Sequence, residues 1–169
     1  MVIKVILLTI LSISIITDLK ERKILNSVTL PSILFAFIYF LSINGLEGFI
    51  FSGKGFLIGL GLLIIPYIMG GMGAGDVKLM AAIGALMGAS FVFYSFIYTA
   101  LIGGVIALAL IIKQRGFINS LKSFFYSIIF LRSDLGSILI PKEKHSSISF
   151  PYGVAIVLGT LCTLVWGGF

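Results

Sequence analysis

Two aspartates, Asp18 and Asp76, are the residues of this chain whose type and position best suit chemistry. Asp18 ends an apolar run, and Asp76 lies in a glycine-dense turn, GGMGAGDVKL at residues 70–79, that leads into another apolar run. A carboxylate at the edge of hydrocarbon costs on the order of a few kcal/mol or more unless it faces a cavity or a partner. Each aspartate is therefore a candidate functional group and a candidate partner for the other.

The chemistry that such a pair suits is acid–base hydrolysis. Two carboxylates brought close together cannot both ionise easily, so they share one proton and titrate with split, coupled pKa values. The protonated member can polarise a carbonyl group while the ionised member takes a proton from water. Either aspartate can be the base, and neither needs a metal or a cofactor.

The remaining titratable groups have simpler interpretations. The four other carboxylates lie in polar or charged segments between apolar runs, and they are Glu21, Glu47, Asp134 and Glu143. The single cysteine, Cys162, fits a small buried hydrophobe, and the single histidine, His145, fits a solvated loop residue. With one cysteine, an internal disulfide and a cysteine-built zinc module are excluded. We predict no metal and no cofactor.

The elements that must position the two aspartates are membrane helices. The chain has 169 residues, of which 59% are hydrophobic and 11% are charged, whereas soluble domains are about 25% charged. No long polar stretch could fold as a second soluble unit, so we predict one membrane-embedded domain over residues 1–169. The net charge of +6 comes from basic residues between apolar runs. Membrane anchoring explains these charges, and no nucleic-acid partner is implied.

The apolar runs predict an all-α integral membrane protein with six transmembrane helices. The predicted spans are residues 2–17, 28–43, 55–69, 76–87, 91–112 and 149–166. A full crossing takes about 20 residues, so the fourth span is short. We interpret the first as a retained helix because no small-residue cleavage site follows it and its positive charge lies on the wrong side for a signal peptide.

The segments between the spans carry further predictions. Residues 44–54 form a short polar link, and the long cytoplasmic link at residues 113–147 contains an amphipathic stripe that predicts an interfacial helix, either an anchor or a substrate-guiding lid. Glycines four residues apart, at Gly55 and Gly59 and at Gly84 and Gly88, predict close helix packing.

The distribution of basic residues predicts the orientation. With the amino terminus outside, ten of the 12 Lys and Arg residues lie on the cytoplasmic side. We therefore expect a multi-pass protein of the plasma membrane with both termini outside. Because Asp18 ends the first span and Asp76 begins the fourth, both carboxylates are then expected at the cytoplasmic face.

Two glycines before Asp76 have a predicted physical role. Gly73 and Gly75 can adopt positive φ and leave room for an extended peptide to lie alongside Asp76. Asp76 near a helix start also lies at the positive end of the helix dipole. A GxGD tetrapeptide on its own equally fits ordinary helix capping, so the second aspartate is what favours a functional site.

The two aspartate motifs together resemble those of the type IV prepilin peptidases, including the archaeal preflagellin peptidases, which are GxGD-type membrane aspartic proteases. The first motif reads Asp18, LKERK, Ile24, Leu25, Asn26, and it departs from the family at Leu25, where proline is usual. The second reads GAGDVKL over residues 73–79 and matches the family pattern throughout. The tripeptide PYG at residues 151–153 is also similar to the family.

The resemblance implies cleavage of the short basic leader of a pilin-like precursor at the cytoplasmic face of the bilayer, with catalysis by Asp18 and Asp76. It also implies substrate-binding or site-shaping roles for Gly73, Gly75, Lys78 and Asn26. Lys78 either tunes Asp76, holds a substrate carboxylate, or is an interfacial lysine that reaches the lipid headgroups. Larger relatives also methylate the product through an added domain that often carries cysteine pairs. This chain has 169 residues and a single cysteine, so we expect a peptidase without methyltransferase activity.

Three other hypotheses stay open. A presenilin-like GxGD protease would carry its partner aspartate in a tyrosine-aspartate motif inside a helix, whereas Asp18 follows Thr17 at a helix end. A small proton- or cation-coupled transporter would use the aspartates as relays. A non-catalytic scaffold would use both aspartates only as helix caps.

Overall fold

The chain folds as α-helices in a computed structural model that describes residues 2–21, 23–115 and 152–167. Within these ranges no strand is formed. The helices are α1 (Val2–Glu21), α2 (Asn26–Ile68), α3 (Ala74–Met87), α4 (Ala89–Arg115) and α5 (Tyr152–Trp166). The predicted amphipathic helix of the long link lies outside the described residues.

Three of the described helices are long and apolar enough to cross a membrane: Val2–Glu21, Asn26–Ile68 and Ala89–Ala109. The 14 residues of α3 reach about 21 Å and the 15 residues of α5 about 22 Å at ~1.5 Å per residue, short of a hydrocarbon core about 30 Å thick. The prediction of an all-helical membrane protein is confirmed. Six separate transmembrane helices are not confirmed, since the described residues form five helices.

The difference arises in α2, which contains both the second and the third predicted span. Its single non-helical residue is Gly45, with φ 58° and ψ −138°, a backbone conformation that glycine adopts readily. The rings of Phe37 and Phe56 lie 6.0 Å apart, although 19 residues of straight helix would separate them by about 28 Å. The helix therefore folds back at Gly45 into two arms, residues 26–44 and 46–68.

The predicted polar link at residues 44–54 is wrong, because these residues are helical except at Gly45. Aromatic packing between the arms explains why the segment orders. Phe49 lies 5.1 Å from Phe37, and Phe51 lies 5.0 Å from Phe40, both measured between ring centroids. Contacts between rings on the two arms thus stabilise the helix through this segment, although its polar residues predicted a loop.

The predicted glycine packing is confirmed where the second arm of α2 meets α3. A Cβ atom placed on Gly55 would overlap the backbone carbonyl of Gly84, and one on Gly59 would overlap the backbone at Met80. Gly88 also lies at this contact, since a Cβ atom on Gly55 would be 3.0 Å from its carbonyl carbon. Gly88 is in addition the one residue between α3 and α4, with φ 88°. The ring of Phe51 lies directly against Gly88, so a side chain at position 88 would overlap that ring.

The core centres on α3. Its largest side chains are almost fully buried, including Leu79, Met80, Ile83 and Leu86, each at most 1% exposed. They contact apolar residues of the neighbouring helices, among them Leu7, Leu63 and Ile156. By contrast, much apolar surface of α2 and α4 is exposed, as expected for helices that face lipid.

The helix contacts divide the chain into two units. The first comprises Met1–Gly103 with Pro151–Phe169, and it contains both aspartates. The second is Gly104–Phe150, of which the structure describes only the continuation of α4. The single domain over residues 1–169 stays a prediction.

Candidate active site

Asp18 lies in the last turn of α1 and is buried, with 5% of its surface exposed. Its Oδ2 atom accepts a hydrogen bond of 3.2 Å from the backbone N–H of Val154, in the first turn of α5. The first N–H groups of a helix have no partner within the helix. The carboxylate of Asp18 therefore serves as an acceptor for a helix that begins 134 residues later in the chain.

Asp76 is the third residue of α3 and is also buried, with 8% of its surface exposed. Its Oδ2 atom accepts a hydrogen bond of 3.0 Å from the backbone N–H of Gly73, the residue that precedes the helix. This is the carboxylate half of a capping box, in which an acidic side chain in the first turn reaches back to the cap. The helix start thus holds the carboxylate in a fixed orientation.

The predicted conformation of the two motif glycines is wrong. Gly73 has φ −82° and ψ 152°, and the positive-φ glycines among the described residues are Gly45, Gly70 and Gly88. The turn before α3 therefore uses Gly70 for its left-handed residue. An extended backbone at Gly73 is what lets its N–H point toward Asp76.

Gly75 does permit close approach, but the approaching segment belongs to this chain. A Cβ atom on Gly75 would lie 2.9 Å from the Cβ of Ile24 and 3.2 Å from its carbonyl oxygen. The connection between α1 and α2 therefore passes directly over the first turn of α3. The space that we predicted for an extended substrate is filled beside Gly75 by Ile24.

Lys78 and Asn26 are brought together by the same connection. The Nζ of Lys78 donates a 2.9 Å hydrogen bond to the Oδ1 of Asn26 across 52 residues of sequence. With the Ile24–Gly75 contact, this bond ties the start of α2 to the first turn of α3. The two residues therefore link the two aspartate motifs.

The structure places the two aspartates at the same end of the first unit. Asp18 ends α1, the connection at residues 23–25 contacts α3 beside Gly75, and Asp76 lies one residue further on. Both side chains are buried at this end. Two buried carboxylates so placed can divide the acid and base roles of a hydrolysis.

Two contacts of this site were not predicted from the sequence. Gly153 and Val154 at the start of α5 contact Asp18, although the PYG tripeptide had no assigned role. The available signal was a glycine early in an apolar helix, which nothing in the local pattern links to Asp18. His145 lies outside the described residues, and within them no group of three or more His, Cys, Asp or Glu residues could hold a metal ion.

The fold and the site together define a helical membrane protein with two buried aspartates at one end of its bundle. Residues 5–108 match the family model of the type IV leader peptidase family. This range is more than half of the 169 residues, so the chain belongs to the type IV leader peptidase family. No matching protein was found among curated proteins, and no solved structure matched.

Family membership confirms the resemblance drawn from the motifs and makes the chain a peptidase of the membrane. The matched range contains Asp18 and Asp76, together with Asn26 and Lys78. The α5 helix, which holds Gly153 and Val154, lies beyond it.

Proposed function

We propose that this protein is an aspartic endopeptidase of the plasma membrane that removes the short basic leader from type IV pilin-like precursors. Cleavage takes place at the cytoplasmic face, and Asp18 and Asp76 form the catalytic dyad. The observation that carries the proposal is the pair of buried aspartates at one end of the bundle, each with one oxygen bound by a backbone N–H. The family match supports the leader-peptidase class.

In the proposed reaction the dyad activates water against the scissile amide. One carboxylate is protonated and donates a hydrogen bond to the carbonyl oxygen of the substrate. The ionised carboxylate takes a proton from water, whose oxygen forms a bond to the carbonyl carbon. The C–N bond then breaks, and the leaving nitrogen receives a proton from the dyad. Hydrogen bonds from Val154 and Gly73 keep the two carboxylates in place through these steps.

In this proposal the distribution of basic residues along the chain decides which side of the membrane the site faces. Both termini lie outside, and the end of α1 and the start of α3 lie at the cytoplasmic face. A precursor would present its basic leader there and keep its hydrophobic segment in the bilayer. The proposed activity is peptide-bond cleavage without methyl transfer.

Cleavage of a pilin-like precursor in membranes tests the dyad. Replacing Asp18 or Asp76 by Asn removes one acid–base partner, so we expect the cleavage rate to fall by about 10²–10⁴-fold for each variant. Glu47→Gln is the matched control, because Glu47 is exposed and lies in the hairpin turn of α2, near no dyad residue in the sequence. Each variant is first checked for normal expression.

The outcomes separate the competing hypotheses. Loss of cleavage in both aspartate variants, with Glu47→Gln active, supports the dyad. A native melting temperature in the same two variants excludes a purely structural role. Cleavage that survives either substitution would contradict the mechanism. A chain that cleaves no pilin-like precursor but loses ion flux in both variants would be a transporter.

A further inference from the structure

The start of α5 makes two distinct contacts with Asp18. The backbone N–H of Val154 donates to Oδ2 at 3.2 Å. Gly153, which precedes it, lies so close that a Cβ atom there would be 2.7 Å from Oδ2, 2.8 Å from Cγ and 3.1 Å from the Cβ of Asp18. Any side chain larger than hydrogen at position 153 would therefore displace the carboxylate.

Backbone conformation does not explain glycine at this position. Gly153 lies within α5 and is not among the positive-φ glycines of the described residues. Glycine is also a poor helix former compared with alanine. Among the described contacts of Gly153, the requirement for space comes from the carboxylate of Asp18.

The rest of α5 is anchored to α4 independently of Asp18. The buried hydroxyl groups of Ser95 and Thr160 share a hydrogen bond of 2.8 Å. Gly159 lies against Thr99, where a Cβ atom would be 2.5 Å from the backbone nitrogen and 2.8 Å from Cα. These contacts fix α5 from its middle, so its first turn is a firm support for the end of α1.

We propose that Gly153 and Val154 are positioning residues that hold Asp18 in its reactive orientation. Gly153 provides the space that lets the first turn of α5 reach the carboxylate, and the Val154 amide then fixes Oδ2. This inference rests on the proposed function, in which Asp18 is a catalytic residue. It assigns the orientation of Asp18 to a helix that lies outside the range matching the family. It extends the active site from two elements to three.

The kinetic test is Gly153→Ala in the full-length chain with a pilin-like precursor as substrate. We expect kcat to fall by about 10²-fold, since a displacement near 1 Å of a reacting group has effects of this size. KM should stay within about twofold, because the role proposed for α5 is to orient the carboxylate. Gly61→Ala is the unperturbed control, since a Cβ atom there meets nothing within 4 Å.

Gly159→Ala controls for damage to α5 itself. It crowds the same helix against Thr99 without contact to Asp18, so we expect it to lower the melting temperature while kcat falls much less than in Gly153→Ala. A kcat loss in Gly159→Ala equal to that in Gly153→Ala would overturn the proposal. A Gly153→Ala protein with kcat within twofold of the native chain would overturn it too.

A stability cycle tests the contact without using catalysis. In the native background Gly153→Ala should lower the melting temperature in detergent by about 4 °C or more. In an Asp18→Ala background the two nearest atoms are gone, so the same change should lower it much less. Equal losses in both backgrounds would overturn the proposed contact. If positions 18 and 153 are strongly coupled in stability but the native chain cleaves no precursor, the proposed function is overturned and the contact stands.

Discussion

At the scale of single residues, the two aspartates are held in place by different means. Asp76 accepts the N–H of Gly73, three residues away on its own helix start. Asp18 accepts the N–H of Val154, 136 residues away. The orientation of Asp76 is therefore a local property of the GxGD turn, whereas that of Asp18 depends on tertiary packing.

Because Asp76 both caps α3 and serves as a proposed catalytic group, Asp76→Glu should separate the two roles. Glutamate is a common residue at this position of a capping box, so we expect the melting temperature to stay within about 2 °C of the native value. The carboxylate moves by one methylene, so the cleavage rate should fall by about 10²-fold. Thermal melting and precursor cleavage on one preparation measure both effects.

Native cleavage by Asp76→Glu would show that the reaction tolerates a displaced carboxylate at this position. A large loss of stability would show that the longer side chain cannot reach the N–H of Gly73. Glu47→Asp, a change of the same size at an exposed position, is the control for general effects of side-chain length.

The sequence was sufficient to make Asp18 and Asp76 candidates, because a carboxylate at the end of an apolar run is costly without a function. It was not sufficient to place the partners of Gly75 and Gly153. The space beside each glycine is filled by a residue that is distant in sequence, Ile24 beside Gly75 and Asp18 beside Gly153. Local pattern reveals that a glycine makes room but not which group fills the room.

At the scale of elements, the connection between α1 and α2 acts as a clamp on α3. Ile24 covers Gly75, and Asn26 accepts from Lys78. The clamp links the motif that carries Asp18 to the motif that carries Asp76. Lys78 was predicted to act on Asp76, on a substrate carboxylate or on lipid headgroups, whereas the described contact is with Asn26.

If the clamp is the role of Lys78, the variants Lys78→Met and Asn26→Ala should behave alike. Each removes the same hydrogen bond, so each should lower the free energy of unfolding by about 0.5–1.5 kcal/mol, and the double variant should lose little more. KM for the precursor should change equally in both. A rise in KM confined to Lys78→Met would instead assign Lys78 to the substrate.

A second element, the glycine seam between α2 and α3, offers a matched pair of substitutions. Gly55→Ala places a methyl group into the backbone of Gly84, so we expect a loss of about 1–3 kcal/mol or more in the free energy of unfolding. Gly61→Ala lies on the same arm with open space around it, and should be neutral or stabilising by up to about 1 kcal/mol. Unfolding of both variants in detergent measures the difference.

Equal stabilities for these two variants would mean that α3 does not pack on α2 as closely as the structure shows. This seam was predictable from spacing, since small residues four apart mark close helix contact in membranes. The fold-back of α2 was not, because it depends on ring contacts such as Phe37 with Phe56 across the hairpin. The pattern of residue types along one helix does not predict such contacts.

At the scale of the whole molecule, the short buried helix α3 packs against α1, α2 and α5 within the first unit. The helical class and the membrane location followed from composition and from the lengths of the apolar runs. The number of separate helices did not, because apolar length predicts where a chain is helical but not whether a polar segment interrupts the helix. The orientation across the membrane stays a prediction, with tagging of each terminus as its direct measurement.

The burial of α3 within the first unit has a consequence for biogenesis. With 14 residues and a carboxylate in its first turn, α3 is too short to partition into a bilayer as an independent span. We expect it to enter the membrane together with the α2 arm that it packs against. The proposed dyad then forms only at assembly, when α1, α3 and α5 meet, so a chain that has not finished folding carries no competent protease within the bilayer.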